Sequence, residues 1–309
     1  MQTETQSLDV SSPSPSLSSQ LFVKADCELG EGPFWFDGRL WWVDIEAGVL
    51  HSVDGTGRNP TRDVLGQKLG AAAPIGAYRF VVALENDVAV YDRTSSALRV
   101  LASHDTNARG ARFNDGKCDP RGRFLAGTLS SSSRESACSL YSYEPVQGLR
   151  TLCDGVILSN GLAWDQAGTT LYYIDSMRRE VAAFAYDLET GSLRDQRVVV
   201  EVPAELGVPD GMTIDAEGNL WIAHWGGYAV RCWCPRTGAC LQKIDLPCAQ
   251  PTSCCFGGPD FKRLFITTAR MGLSPEELAP QPLAGSVFFC DLETHGFPPH
   301  RFQETPIQQ

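Results

Sequence analysis

Basic clusters are missing from this 309-residue chain. Its 26 Lys and Arg stand against 37 Asp and Glu, the formal net charge is -11 and the pI is about 4.9. Phosphate binding depends on gathered cations, so no nucleic-acid partner is expected, and a neutral ligand, a cationic ligand or a bound metal cation fits better. No apolar run nears the roughly 20 residues needed to cross a bilayer, and no membrane partner is expected. Helical periodicity is almost absent. Neither a G-x-S-x-G elbow nor an H-E-x-x-H pair occurs, and the five histidines (51, 104, 224, 295, 300) show no ligand spacing. What the chain does have is a core: 43% of its residues are hydrophobic and 20% charged, the balance of a globular protein rather than a disordered one.

Eleven cysteines suggest a disulfide framework at first sight, but their number is odd. The start, MQTETQSLDVSSPSPSLSSQ, has neither a basic nor an apolar region, so no secretory signal is expected. Most of the cysteines sit in apolar strand-like runs, where a free thiol behaves as a small buried hydrophobe. Reduced core thiols in a cytoplasmic protein are the expectation. Cys232-Trp-Cys234 and Cys254-Cys255 lack the two-residue separation of structural zinc pairs.

Residues 1–18, rich in Ser, Pro, Thr and Gln, read as a disordered tail, and residues 19–309 as one domain. In that domain, short apolar or alternating runs are separated by Gly, Pro, Asn and Asp turns. Six of them align: GRLWWVDIEAGVLHSVD, YRFVVALENDVAVYD, GRFLAGTLSSSSRESACSLYSYE, TTLYYIDSMRREVAAFAYD, GNLWIAHWGGYAVRCWCP and KRLFITTARMGL with GSVFFCDLE. Each reads as a strand, a turn or loop, and a second strand. Their first apolar residues (Leu40, Phe80, Phe124, Leu171, Leu220, Leu264) are 40, 44, 47, 49 and 44 residues apart, a period that suits four strands per unit. An all-β, six-bladed β-propeller is the predicted fold, with a metal site in its central channel. The early strand QLFVKAD is expected to complete the last blade, so that no edge stays open.

In a propeller the innermost strand of every blade lines the axis, so residues equivalent in the repeat face one another. Counting back from the anchors, Glu31 lies 9 positions before Leu40, Asn114 10 before Phe124, Asn160 11 before Leu171 and Asp210 10 before Leu220. All four carry a side-chain oxygen in glycine-bearing contexts, GEGP, FNDG, SNG and PDG. Glycine there is expected to allow positive φ and to keep the channel clear. Asn-Gly and Asp-Gly pairs also form ordinary turns, but their recurrence at equivalent positions favours a site. Two carboxylates and two amide oxygens without His or Cys suit a hard divalent ion such as calcium, magnesium or manganese. His224, in IAHWGG, is read as a packing group outside the site.

The stretches GEGPFW, RFNDGKCDPRGRFLAGT, SNGLAW, LYYIDS, PDGMTIDAEGNLW, PTSCCFGG and FAYDLETG resemble the family of regucalcin (senescence marker protein), gluconolactonase and luciferin-regenerating enzyme, over residues 30 to 290. That resemblance implies a six-bladed propeller with a metal in the channel. It assigns the metal ligands to Glu31, Asn160 and Asp210, and substrate contacts to Arg112 and Asn114. The activity implied is hydrolysis of a sugar lactone to the aldonic acid, by a metal-dependent lactonase of the gluconolactonase type. One divalent ion is the cofactor, calcium first, with zinc, manganese, magnesium and ferrous iron as alternatives. Asp210, taken to lie across the ring from Glu31, is the candidate to hold or deprotonate the attacking water. The expected partner is a small-molecule sugar lactone, acting on a monomer or weak dimer. Where some animal members carry acidic residues after the AGT strand, this chain has Ser130 to Ser133, so substrate choice does not carry over. Two other readings stay open: an esterase or phosphotriesterase on the same metal, and a non-enzymatic calcium-binding protein.

Overall fold

The computed structural model describes residues 16–104, 111–130 and 138–304. Four-stranded antiparallel meanders follow one another along residues 30–64, 69–103, 111–156, 159–201 and 208–245, and a sixth sheet spans 251–291. These are the six blades. Their first strands touch in sequence order and the first strand of blade six meets that of blade one, so the ring closes.

The alternating strands explain why the sheets stack. Each blade buries both faces, and six apolar clusters lie one between each pair of neighbouring blades. Trp41 of blade one, for instance, packs on Phe80 of blade two with ring centroids 4.7 Å apart. The turn between first and second strands is built three times from the same chemistry. In blades three, four and five, Asp119, Asp165 and Asp215 each accept two backbone N–H groups with one carboxylate oxygen, and a glycine at φ 80°, 68° or 80° (Gly122, Gly168, Gly218) completes the turn.

Blade six has three strands of its own, and Gln20–Val23 pairs antiparallel with the outermost, Val287–Asp291. The early strand therefore closes the ring. Of the segment 1–18 expected to be a tail, residues 1–15 lie outside the described residues, while Ser16–Ser18 pairs parallel with Cys240–Asp245 and adds a fifth strand to blade five. A three-residue strand is too short to show alternation; Leu17 packs on the apolar cluster between blades five and six while the serines flank it. All eleven cysteines are free and nine are buried. No helix among the described residues is long and apolar enough to cross a membrane.

Candidate functional site

The six anchor residues fall on the second strand of each blade, so the two strands of the sequence repeat are the second and third. The ring residues do not precede the innermost strands; they lie on them. Glu31 is on Gly30–Phe36, Asn114 on Ala111–Cys118, Asn160 on Ser159–Trp164 and Asp210 on Val208–Ile214. In every blade the pairing of first and second strands slips there, between Glu31 and Phe34, Leu69 and Ala71, Phe113 and Gly116, Ser159 and Leu162, Pro209 and Met212, and Pro251 and Ser253. A bulge re-aims side chains that regular pleating would send into the blade stack.

Glycine at these bulges serves room more than dihedral freedom. Of the glycines that follow the ring residues, only Gly32 has a positive φ, 49°. A Cβ on Gly161 would sit 2.8 Å from the carbonyl oxygen of Asp210, and one on Gly211 2.1 Å from Ser253 Oγ. Neighbouring inner strands approach too closely at the axis for any side chain.

The four ring residues are buried, and hydrogen bonds link Asn114, Asn160 and Asp210. Asn114 Nδ2 donates to the Ser159 carbonyl at 2.9 Å and lies 3.5 Å from Asn160 Oδ1. Asn160 is held from its other side, its Nδ2 donating to Ser176 Oγ at 3.0 Å. Arg112, with 12% of its side chain exposed, donates through Nη1 to the Phe113 carbonyl and to Asn114 Oδ1, both at 2.9 Å, and its Nη2 is 3.6 Å from Glu46 Oε1. Blade order corrects one placement: Asn160, in blade four, faces Glu31 across the ring, while Asp210, in blade five, is separated from it by blade six alone.

Two further channel residues escaped the repeat comparison. Asp115 is buried, its Oδ1 accepts from the Gly116 N–H at 2.7 Å and its Oδ2 has no partner. Lys117 Nζ donates to the carbonyls of Leu162 (2.9 Å) and Met212 (2.5 Å), tying together the inner strands that bear Asn160 and Asp210. The signal was present in the sequence. Blades four and five read Asn-Gly and Asp-Gly, whereas blade three inserts an acid before the glycine and a lysine after it, Asn114-Asp115-Gly116-Lys117.

Burial dominates the electrostatics. It holds the Glu31 carboxyl up at about 8, with the Asp115 carboxylate adding to the effect, while the Gly32 N–H opposes it. Asp210 is pushed well above the usual carboxylate range by burial, then by Glu31 and Asp115, against hydrogen bonds from Asn160 and the Gly211 N–H. Asp115 is raised by burial and restrained by Lys117. Three buried carboxyl groups thus crowd the channel, with one carboxylate oxygen unpartnered. An all-oxygen donor set of this kind fits a hard divalent cation, whose charge would relieve the mutual repulsion.

One other group could hold an ion. Cys27, Asp44 and His51 bring ligand atoms within 4.8 Å of one another. Asp44, however, is spent on the backbone: it accepts from the N–H groups of Glu28, Leu29 and Ala47. Asp175 does the same in blade four, accepting from Ile157 and Leu158, which marks the arrangement as a repeated tether of the inner strand. Burial also pushes the Cys27 thiol up to about 12, so it is a poor thiolate donor.

His224 is fully buried; its Nδ1 faces the Leu206 carbonyl at 3.1 Å, its Nε2 accepts from Trp233 Nε1 at 3.2 Å, and the two rings stack. It packs between blade elements and does not reach the ring. Ser130 ends the second strand of blade three, while Ser131 to Ser133 lie outside the described residues.

Comparison with known proteins bears on this site. Residues 29–270 match the family model described as the SMP-30/Gluconolactonase/LRE-like region. The chain belongs to this family. Regucalcin from Danio rerio is 37% identical over 292 residues, covering 93% of this chain and 99% of the relative. Among solved structures, a calcium-binding protein, regucalcin, from Agrobacterium tumefaciens superposes with a TM-score of 0.88 at 26% identity, over 94% of this chain and 98% of that one. A luciferin-regenerating enzyme superposes with a TM-score of 0.84 at 27% identity, over 90% and 96% of the two chains. The six-bladed propeller of this chain is thus shared with both of these structures.

Proposed function

We propose that the protein is a divalent-cation-dependent lactonase that opens a sugar lactone to its aldonic acid. The observation that carries this reading is the convergence of Glu31, Asn160 and Asp210 on one channel, beside an Arg112 already oriented by Asn114. Glu31, Asn160 and Asp210 would hold the ion, with calcium the first choice because every donor is a hard oxygen. When bound, such an ion supplies polarisation of the lactone carbonyl and stabilisation of the oxyanion that develops there.

The protein's own groups do the rest. Both Nη1 hydrogens of Arg112 are spent on the Phe113 carbonyl and on Asn114, which keep the guanidinium from swinging away and leave Nη2 to donate to the lactone oxygens or sugar hydroxyls. Asp210 takes a proton from water as the water oxygen bonds to the carbonyl carbon; the ring C–O bond then breaks and the proton passes to the departing alcohol oxygen. Burial raises the proton affinity of Asp210 in the cation-free channel, and a bound cation would draw it back down, which leaves an ionised carboxylate to accept the proton of the water. A simple calcium store would have no use for a locked arginine beside the ion, which is why the enzyme reading is preferred to a non-enzymatic cation-binding protein.

The test is proton release from a panel of aldonolactones (glucono, galactono, xylono, arabinono) by cation-stripped protein, with calcium, magnesium, manganese, zinc or ferrous iron restored. Turnover that returns with an ion and is lost in Asp210→Asn is expected. Tight ion binding without turnover on any lactone would sink the reading in favour of the binding protein or an ester hydrolase.

A further inference from the structure

Beyond the ring, on the side away from Arg112, the channel opens into a cavity of about 550 Å³. It begins at Asp115, Gly116 and Lys117, and its walls come from residues that follow the bulges on all six inner strands or their turns. The C-terminal segment crosses its mouth. Gly296 N–H bonds to the Phe261 carbonyl on one side, and Phe302 and Gln303 bond to the Pro74 and Gly122 carbonyls on the other, which carries Phe297, Pro298 and Pro299 over the opening.

The lining has a definite chemistry. Ala72, Ala73 and Ala163 keep the axis clear, while Trp35, Trp164 and Phe256 supply aromatic surface. A cavity of this volume with aromatic walls and few polar groups is the usual form of a small-molecule site. Its polar anchor is Lys117, part-exposed although it sits inside the channel, with two of its three N–H groups already spent on Leu162 and Met212. The third is available to an acceptor in the cavity. Behind that ammonium stand Asp115 and the ring carboxyls, so an anionic guest would meet their field and a cationic one the lysine.

We propose that this cavity is a second small-molecule site, at the opposite end of the channel from Arg112, for an uncharged ring-bearing compound whose carbonyl or hydroxyl oxygen accepts from Lys117 Nζ. The proposal is independent of the lactonase reading: it uses neither the ring ligands nor turnover.

The probe is 2-naphthol, titrated by calorimetry and by its own fluorescence into the full chain with calcium present. One saturable site is expected. Ala163→Phe, which fills the cavity from blade four, should remove it, and Ala72→Leu from blade two serves if the first variant does not fold. Lys117→Met should weaken binding about tenfold, the worth of one good hydrogen bond. Arg112→Ala, at the far end, should leave it unchanged. Absence of saturable binding, equal affinity in the folded cavity-filling variant, unchanged affinity in Lys117→Met, or a tenfold loss in Arg112→Ala would each overturn the proposal.

Discussion

Asn114 Oδ1 accepts from Arg112 Nη1 at 2.9 Å while its own amide donates to the Ser159 carbonyl at 2.9 Å, so the arginine of blade three is anchored through Asn114 to the inner strand of blade four. Both bonds are lost in Asn114→Ala. The Ser159 carbonyl then stays buried without this donor, at a cost of about 1–3 kcal/mol. Arg112 keeps its charge but loses its orientation, so KM for the lactone should rise roughly tenfold or more while cation affinity changes little. Steady-state kinetics beside calcium calorimetry checks this, and an unchanged KM would remove Arg112 from the substrate site.

Asp210→Asn separates the roles of ligand and base. An amide still offers an oxygen but takes no proton, so kcat should fall by about 10²–10⁴. The same change relieves a buried carboxyl pressed by Glu31 and Asp115. In chelator the variant should therefore melt higher than the native protein, and the gap should widen with pH as the remaining acids ionise. Thermal unfolding in chelator at pH 6 and pH 9 measures it; equal melting temperatures at both would mean the carboxyl is not under that strain.

How much of this was legible follows from what a repeat can reveal. The spacing of Leu40, Phe80, Phe124, Leu171, Leu220 and Leu264 exposes the blades because each anchor must fill the same slot between stacked sheets. Glu31, Asn114, Asn160 and Asp210 were found by the same equivalence. Asp115 and Lys117 were not, because comparing like positions discards the residue that is unlike, and blade three departs from its neighbours at these two. The bulges were invisible for a different reason. Whether a ring residue precedes or occupies the inner strand depends on pairing with the second strand, and pairing is a long-range property. The Cys27, Asp44 and His51 group shows the reverse case, a set of ligand types brought together by a backbone tether.

Cation binding should release protons. Glu31 keeps its proton up to about 8 in the cation-free fold, whereas an unperturbed carboxyl of its kind releases it near 4.5. Between those values the folded chain holds a proton on Glu31 that the unfolded chain has released, so the contribution of Glu31 to the stability of the cation-free protein falls as pH rises through the window and loses no more above it. A cation must displace the proton, so its affinity should climb with pH over the same range. Calcium titrations at pH 6.5 in two buffers of different ionisation enthalpy should give different heats. Identical heats would mean that Glu31 is already ionised and carries no linkage.

Gly161→Ala tests whether closeness at the axis, rather than any one ligand, shapes the site. The added methyl would lie 2.8 Å from the Asp210 carbonyl, from Met212 N and from Met212 Cγ, and two of these three atoms are backbone that cannot swing aside. The inner strands of blades four and five must then separate, at a cost of about 1–3 kcal/mol in stability. Asn160 and Asp210 ride on those strands, so calcium affinity should fall although every proposed ligand is retained. Alanine at Gly218, a turn glycine with nothing within 4 Å of the added carbon, is the control: its φ of 80° makes it destabilising too, but it moves no ring residue. Calcium calorimetry on both variants decides the matter. A loss of affinity at Gly161 alone places the constraint at the channel axis, and an equal loss at both would reduce it to general destabilisation.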